Sequence, residues 1–473
     1  MRCGSDGGGG RRFSAYVEEL ASVIGHKDRA RPLRDYCVGL VMPGERKSVE
    51  PMAAVTDPAR VAAQHQSLLH FVGQGGWSDD RVLAKVREMV LPEIERQGPI
   101  EAWIIDDTSF PKQGRHSVGV ARQYCGALGK RANCQVAVSL SMANHHASLP
   151  VAYRLYLPEE WASDPARLSQ AGVPAEATFR TKIEIAREQL RRAWEAGVPR
   201  GVVLADSAYG NSGALRADLT EMRLTYALAV QSTITVRPPG GETIPAAVWP
   251  GLGLPVKRLR GDGSPRVVTA RELALALPKR TWHKIAWREG TNTKLSSRFA
   301  RVRVQVAGRD EPLTDGRPEE WLLIEWPKDE PEPTKYWLST LAEDIGFAGL
   351  VDLAKLRWRI ERDYQDLKQE VGLGHYEGRG WRGFHHHATL CIAAYGFLIS
   401  ERGTIPPSGP RPARRFAESA LPGGYRPRGS TAAPATPHPR LDRNPSSKDN
   451  RRARPNPAAM SLLLSQTGQA IIR

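Results

Sequence analysis

The sequence predicts a mixed α/β protein in which helices flank a mixed sheet, preceded by a helical domain and interrupted by a β-rich insertion. Three observations predict this. Between Pro99 and Val230, short apolar runs alternate with charged amphipathic stretches. Upstream, apolar residues recur at i, i+3 and i+4 spacing. Downstream, two more helical runs follow a segment rich in Pro, Gly, Arg and Trp.

Taken in order, residues 1–12 are Gly-rich with Arg11 and Arg12 and read as a flexible N-terminus. No apolar h-region follows, so no secretory signal is expected and the protein should stay in the cytoplasm. Ala15, Val17, Leu20, Ala21 and Ile24, then Val82, Leu83, Val86, Met89 and Val90, keep helical spacing, which makes residues 13–98 a helical domain. After Pro99 the texture is that of strands: residues 102–105 run into Asp106 and Asp107, and residues 134–142 and 149–156 follow. Residues 181–196 form a charged amphipathic helix, and residues 201–205 a buried-type strand ending on Asp206. Residues 212–223 and 226–230 add a helix and a strand, completing the first part of a core at residues 99–232. Residues 233–335 read as the β-rich insertion. The last part of the core, residues 336–402, holds one helix over 347–371 and a second over 387–399. Residues 403–473 contain twelve prolines and almost no periodicity, and read as a disordered, basic Pro/Arg-rich tail.

At 473 residues, 25% charged and 41% hydrophobic, the chain has room for two to four domains and is too apolar for general disorder. Its longest nearly uncharged apolar run, residues 389–399, falls well short of the roughly 18 residues a bilayer span needs, so no membrane partner is expected. Sixty-seven Lys and Arg against 51 Asp and Glu give a formal charge of +16, which asks for a polyanionic partner, most simply nucleic acid. Yet +9 of that charge lies in residues 403–473, and the other 402 residues carry only +7. Five cysteines without a C-x-x-C pair read as reduced thiols, and the spacing of Cys125, Cys134, His145 and His146 does not favour a zinc site.

Two carboxylates end apolar strands: Asp106, or its neighbour Asp107, and Asp206. Carboxylates at strand ends face the crevice where an α/β sheet binds ligands, and hard divalent cations take such oxygen donors. An Asp in that place equally serves as a loop or helix cap. In the predicted helix, Arg357, Glu361 and Lys368 fall within about 40° of one another at about 100° per residue, beside an apolar face of Leu353, Leu356, Ile360, Leu367 and Val371. Such an edge can set a carboxylate against a metal and two cations against phosphate. It can also be an ordinary salt-bridged face, where an i,i+4 pair is worth only about 0.2–0.5 kcal/mol.

Four segments go further: Asp106-Asp107-Thr108-Ser109-Phe110-Pro111-Lys112-Gln113-Gly114 with its continuation through Tyr124; Leu204-Ala205-Asp206-Ser207-Ala208-Tyr209-Gly210; Arg357-Trp358-Arg359-Ile360-Glu361-Arg362-Asp363-Tyr364; and residues 372–379 with Trp381 to His387. Through these, and through Pro43 to Met52, the chain closely resembles the DDE-superfamily transposases of bacterial insertion sequences over residues 13–401. The resemblance implies a ribonuclease-H-like catalytic core with a β-rich insertion before its last catalytic helix. The family's first Asp maps to Asp106, because Thr108 completes an Asp-x-Thr pattern, with Asp107 as the alternative. The second Asp maps to Asp206 and the Glu to Glu361. Arg357, Glu361 and Lys368 match the family's Tyr-x2-Arg-x3-Glu-x6-Lys signature, while Ala354 stands at its Tyr.

The resemblance also implies two-metal phosphoryl transfer: Asp106, Asp206 and Glu361 hold two Mg²⁺ ions, with Mn²⁺ able to substitute. The enzyme would cut at the element's terminal inverted repeats and join the freed ends to target DNA, its helical N-terminal domain helping to bind the ends. A homodimer is expected because two ends must be synapsed. Arg357 and Lys368, with Lys112 and Arg122, would meet DNA phosphates. The competing reading is an inactive or domesticated DNA-binding relic. His385, His386 and His387, consecutive at a helix start, favour a structural or phosphate role over a metal site. Trp282, Trp287, Trp321 and Trp326 favour core packing over base stacking.

Overall fold

The computed structural model describes residues 8–238, 267–289, 294–307 and 318–404. Five helices come first: α1 (Gly8–Ser22), α2 (Ala30–Val41), α3 (Val49–Thr56), α4 (Val61–Gly73) and α5 (Asp79–Glu95). Their apolar stripes turn inward, burying Phe13, Leu20, Leu33, Leu68, Val86 and Val90.

The sheet begins with β1 (Ala102–Pro111), β2 (Ala121–Cys125), β3 (Lys130–Ala143) and β4 (Ser148–Leu155). Two short helices, α6 (Glu159–Ala162) and α7 (Pro165–Gln170), precede α8 (Lys182–Glu195). Then come β5 (Val202–Ala205), α9 (Ser207–Gly210), α10 (Gly213–Glu221) and β6 (Tyr226–Val230). β3 is antiparallel to β1 and β4 to β3, whereas β5 joins β1 in parallel and β6 joins β5 in parallel. The apolar runs Val202–Ala205 and Tyr226–Val230 are what a parallel strand covered on both faces requires. α8 opens with a capping box: Thr181 Oγ1 accepts from the Glu184 amide while the Glu184 carboxylate accepts from the Thr181 amide.

The inserted segment supplies β7 (Thr235–Arg237), β8 (Val268–Thr269), α11 (Ala270–Ala276), β9 (His283–Glu289), β10 (Lys294–Val306) and β11 (Glu320–Trp326). β12 (Lys335–Ser339) returns antiparallel to β6, and β11 and β10 continue outward, so the insertion extends the same sheet. Its described tryptophans make packing contacts. Trp321 is buried, Trp282 meets Trp326 edge to face at 5.1 Å, and Trp287 meets Phe299 at 5.7 Å. Residues 239–266, 290–293 and 308–317 of the expected insertion lie outside the described residues.

Three helices close the described chain: α12 (Phe347–Lys355), α13 (Trp358–Gln369) and α14 (Trp381–Thr404). α14 is buried continuously from Gly383 to Ile399, packed among α2, α4, α5 and β4. Among the described residues no helix is long and apolar enough to cross a membrane.

The structure changes three expectations. The single helix over 347–371 is two helices, broken at Leu356 and Arg357, where Arg359 N bonds Leu356 O and Ile360 N bonds Arg357 O at i−3 spacing. No Gly or Pro announces that break. The helix over 387–399 extends to both sides because its polar ends find partners: Arg382 Nη1 donates to Gln74 O, and Glu401 pairs with Arg12. Finally, α1 starts at Gly8, inside the segment expected to be flexible, because Arg12 makes two 2.6 Å bonds to Glu401 that tie it to α14. Residues 1–7 and 405–473, the latter nearly all of the expected tail, lie outside the described residues.

Candidate active site

β1 and β5 set the site's level. The parallel register pairs Ala102 with Val202, Trp103 with Val203 and Ile104 with Leu204, so Asp106 and Asp206 each follow the last pair by two residues. Asp206 then caps α9, its Oδ1 accepting from the amides of Ala208 at 2.9 Å and Tyr209 at 3.4 Å. The close of that turn needs Gly210, since a Cβ there would lie 2.0 Å from Ala229 O on β6. The capping role foreseen for an Asp in this position is therefore real, and it fixes the carboxylate's direction.

Side chains alternate along a strand, and this separates the two candidates on β1. Asp106 faces α13, with Oδ2 accepting from Arg357 Nη1 at 2.9 Å and Oδ1 from the Asp107 amide at 2.9 Å. Asp107 faces α8, where it pairs with Lys182. Glu361 lies one turn beyond Arg357 on the exposed side of α13. Burial pushes the Asp106 carboxyl up to about 6; Arg357 opposes the shift, and the neighbouring Asp107 and Asp206 charges add to it. Burial works against the Arg357 charge, but Asp106, Asp206 and Glu361 outweigh it and hold the guanidinium above its ordinary value. Arg357 is thus the direct countercharge of Asp106, and the charges of Asp206 and Glu361 act on it in the same sense.

A family model described as DDE superfamily endonuclease matches residues 19–294, which include both aspartates. The chain belongs to the DDE superfamily of endonucleases. It is also similar to a protein of Microchaete diplosiphon named probable transposase for insertion sequence element IS701, at 32% identity over 196 residues. That match covers 41% of this chain and 47% of the relative, so the chain spans about half the length of the relative it matches.

Endonucleases of this superfamily generally use divalent metal ions, and three carboxylates are a donor set of the hard-oxygen type such ions take. Among the described residues no three His, Cys, Asp or Glu side chains converge closely enough to hold an ion as they stand. At Asp106 the inward oxygen is taken by Arg357.

The other predicted contacts of this DDE endonuclease divide. Lys368 Nζ donates to Ser109 O at 3.0 Å and lies 5.1 Å from the Phe110 ring centre, anchoring α13 to β1. Lys112 Nζ donates to Tyr376 O at 2.8 Å. Burial lowers the pKa of both amines. Only Arg122 of the predicted phosphate contacts projects as an exposed side chain. The three histidines diverge: His385 accepts from the Leu155 amide, His386 lies between Val72 O and Trp77 O, and His387 bonds Tyr36 and Gly372 O. Ala354, at the signature's Tyr position, is buried.

Sequence reasoning missed Lys182, Tyr209 and Tyr364. Tyr364 bonds Ser139 opposite Asp106 on β3, and Tyr209 is buried close enough to Asp106, Asp107 and Asp206 for their charges to add to the upward shift that burial imposes on its hydroxyl. Both tyrosines stood inside recognisable segments. Lys182 had no local signal, because its partner is 75 residues away.

Proposed function

We propose that this DDE endonuclease is an insertion-sequence transposase that binds its element's terminal inverted repeats, cleaves the ends and joins them to target DNA. The observation that carries this reading is the level placement of Asp106 in β1 and Asp206 just past the adjacent parallel strand β5, with Arg357, one turn before Glu361 at the start of α13, paired to Asp106. The strand order β4-β3-β1-β5-β6, antiparallel on one side of β1 and parallel on the other, supports a ribonuclease-H-like core.

Asp106, Asp206 and Glu361 are the residues that would hold two Mg²⁺ ions, which when bound activate a water or a DNA 3′-hydroxyl and stabilise the leaving oxygen. The chain's own residues do the positioning. The α9 amides orient Asp206, Lys368 pins α13 against β1, and Arg357 offsets carboxylate charge that would repel a phosphodiester. The N-terminal helices would grip the repeats, and a homodimer on the bacterial nucleoid would synapse two ends.

Purified full-length protein with Mg²⁺ should nick DNA carrying its own inverted repeats, and Glu361→Gln should bind that DNA without cutting. Cutting by the variant removes Glu361 from the mechanism. Sequence-specific binding without cutting by the wild type points instead to a domesticated relic.

A further inference from the structure

A cleft of about 500 Å³ opens between the β2–β3 hairpin, the loop after β1 and α6–α7. Arg115, Arg122 and Arg167 line it together with Gln113 and Asn133, against the single acid Glu160. The walls are braced. Asn133 Nδ2 donates to Lys112 O and Gly114 O, both at 2.8 Å, fixing the loop that carries Gln113 and Arg115. The Arg167 guanidinium lies 3.7 Å above the Trp161 ring centre and donates to Arg115 O at 2.9 Å. The hairpin is fastened to β1, since the Ala127 amide donates to Ser109 Oγ at 3.0 Å. Two residues along β2 from Arg122, and hence on the same strand face, Tyr124 is 63% exposed.

A cationic groove with an exposed aromatic beside it is the combination that tracks a single nucleic-acid strand: guanidinium groups meet phosphates, and a ring stacks on an unpaired base. Gln113 is seven residues past Asp106 on β1 and its continuation, at most roughly 23 Å at about 3.3 Å per residue. We propose that this cleft holds a single-stranded DNA segment adjoining the cleavage point, its phosphates on Arg115, Arg122 and Arg167 and a base on Tyr124. This rests on the transposase reading for the identity of the DNA, but its test does not depend on cutting.

The test uses full-length protein in the Glu361→Gln background and fluorescence polarisation over a NaCl series. The probes are a blunt repeat-end duplex and the same duplex with a short single-stranded extension. The extended probe should bind tighter. Arg115→Gln with Arg122→Gln should reduce the salt slope on the extended probe by about 1.4, at roughly 0.7 per lost single-strand phosphate contact. Tyr124→Ser should cost about 5-fold or more in affinity and leave the slope unchanged. Arg200→Gln, exposed just before β5, is the control and should change neither. Equal binding of the two probes, or equal slope losses on both, overturns the proposal. Repeat cleavage by wild type with an inert cleft defeats this inference alone; the predicted cleft behaviour without repeat cleavage defeats the transposase reading alone.

Discussion

The Arg357–Asp106 pair can be measured apart from any catalysis. Arg357→Gln and Asp106→Asn, made singly and together, form a double-mutant cycle read by urea denaturation in the absence of Mg²⁺. At the 2.9 Å separation, two unit charges attract by about 6 kcal/mol at an effective dielectric of about 20. The side chains are 26% and 14% exposed, so water screens part of this and desolvation offsets more, leaving an expected coupling of about 1–3 kcal/mol. Arg357→Gln should be the worse single variant, because it leaves Asp106 buried among Asp107 and Asp206 without its countercharge. The double variant should lie close to Asp106→Asn. On the proposed metal-binding reading, millimolar Mg²⁺ should then stabilise Arg357→Gln more than wild type, since the guanidinium holds the carboxylate oxygen that the ion would take. A coupling below about 0.5 kcal/mol, or identical Mg²⁺ shifts, would refute the countercharge account.

Three further outcomes are expected. Asp106→Asn should abolish nicking while Asp107→Asn, which only breaks the Lys182 pair on the opposite face, stays within about tenfold of wild type; the reverse pattern would move the ligand to Asp107. Gly210→Ala should destabilise the fold by about 1–3 kcal/mol and weaken Mg²⁺ binding, because its Cβ must displace α9 from Ala229 O and Asp206 moves with it; unchanged melting would show that the turn has slack. His387 is held neutral by burial, its pKa lowered to about 4. The unfolded chain therefore takes up its proton first as pH falls below the ordinary value near 6.5, and the stability His387 contributes is full above that pH and lost down to about 4. Asp79 and Asp363, raised to about 7, titrate in the opposite sense, so the diagnostic is the difference from wild type. His387→Gln should lose less stability between pH 6.5 and 4 than wild type by urea midpoint, and parallel curves would count against a neutral buried ring.

The elements legible in the sequence were those whose pattern is local. β6 falls on the predicted residues, and α8 is announced by its charged amphipathic run. β2 was not foreseen: Ala121–Cys125 alternates buried and exposed over only five residues and is a strand because β3 pairs with it. The break between α12 and α13 was equally invisible, since helix propensity continues through Leu356 and Arg357 and only the tertiary position of α13 interrupts it.

For the site, the sequence by itself determined which side chains are available: Asp106 or Asp107, Asp206, Arg357, Glu361 and Lys368, on elements whose types it also specified. The tertiary structure decided how they are used. Strand alternation turned Asp106 toward α13 and Asp107 toward Lys182, register levelled Asp106 with Asp206, and packing spent Lys368 and Lys112 on backbone carbonyls while leaving Arg122 in an open cleft. Periodicity and motif are encoded within a dozen residues. Charge pairing depends on which groups meet across 75 to 251 residues of chain, a distance no local pattern reports.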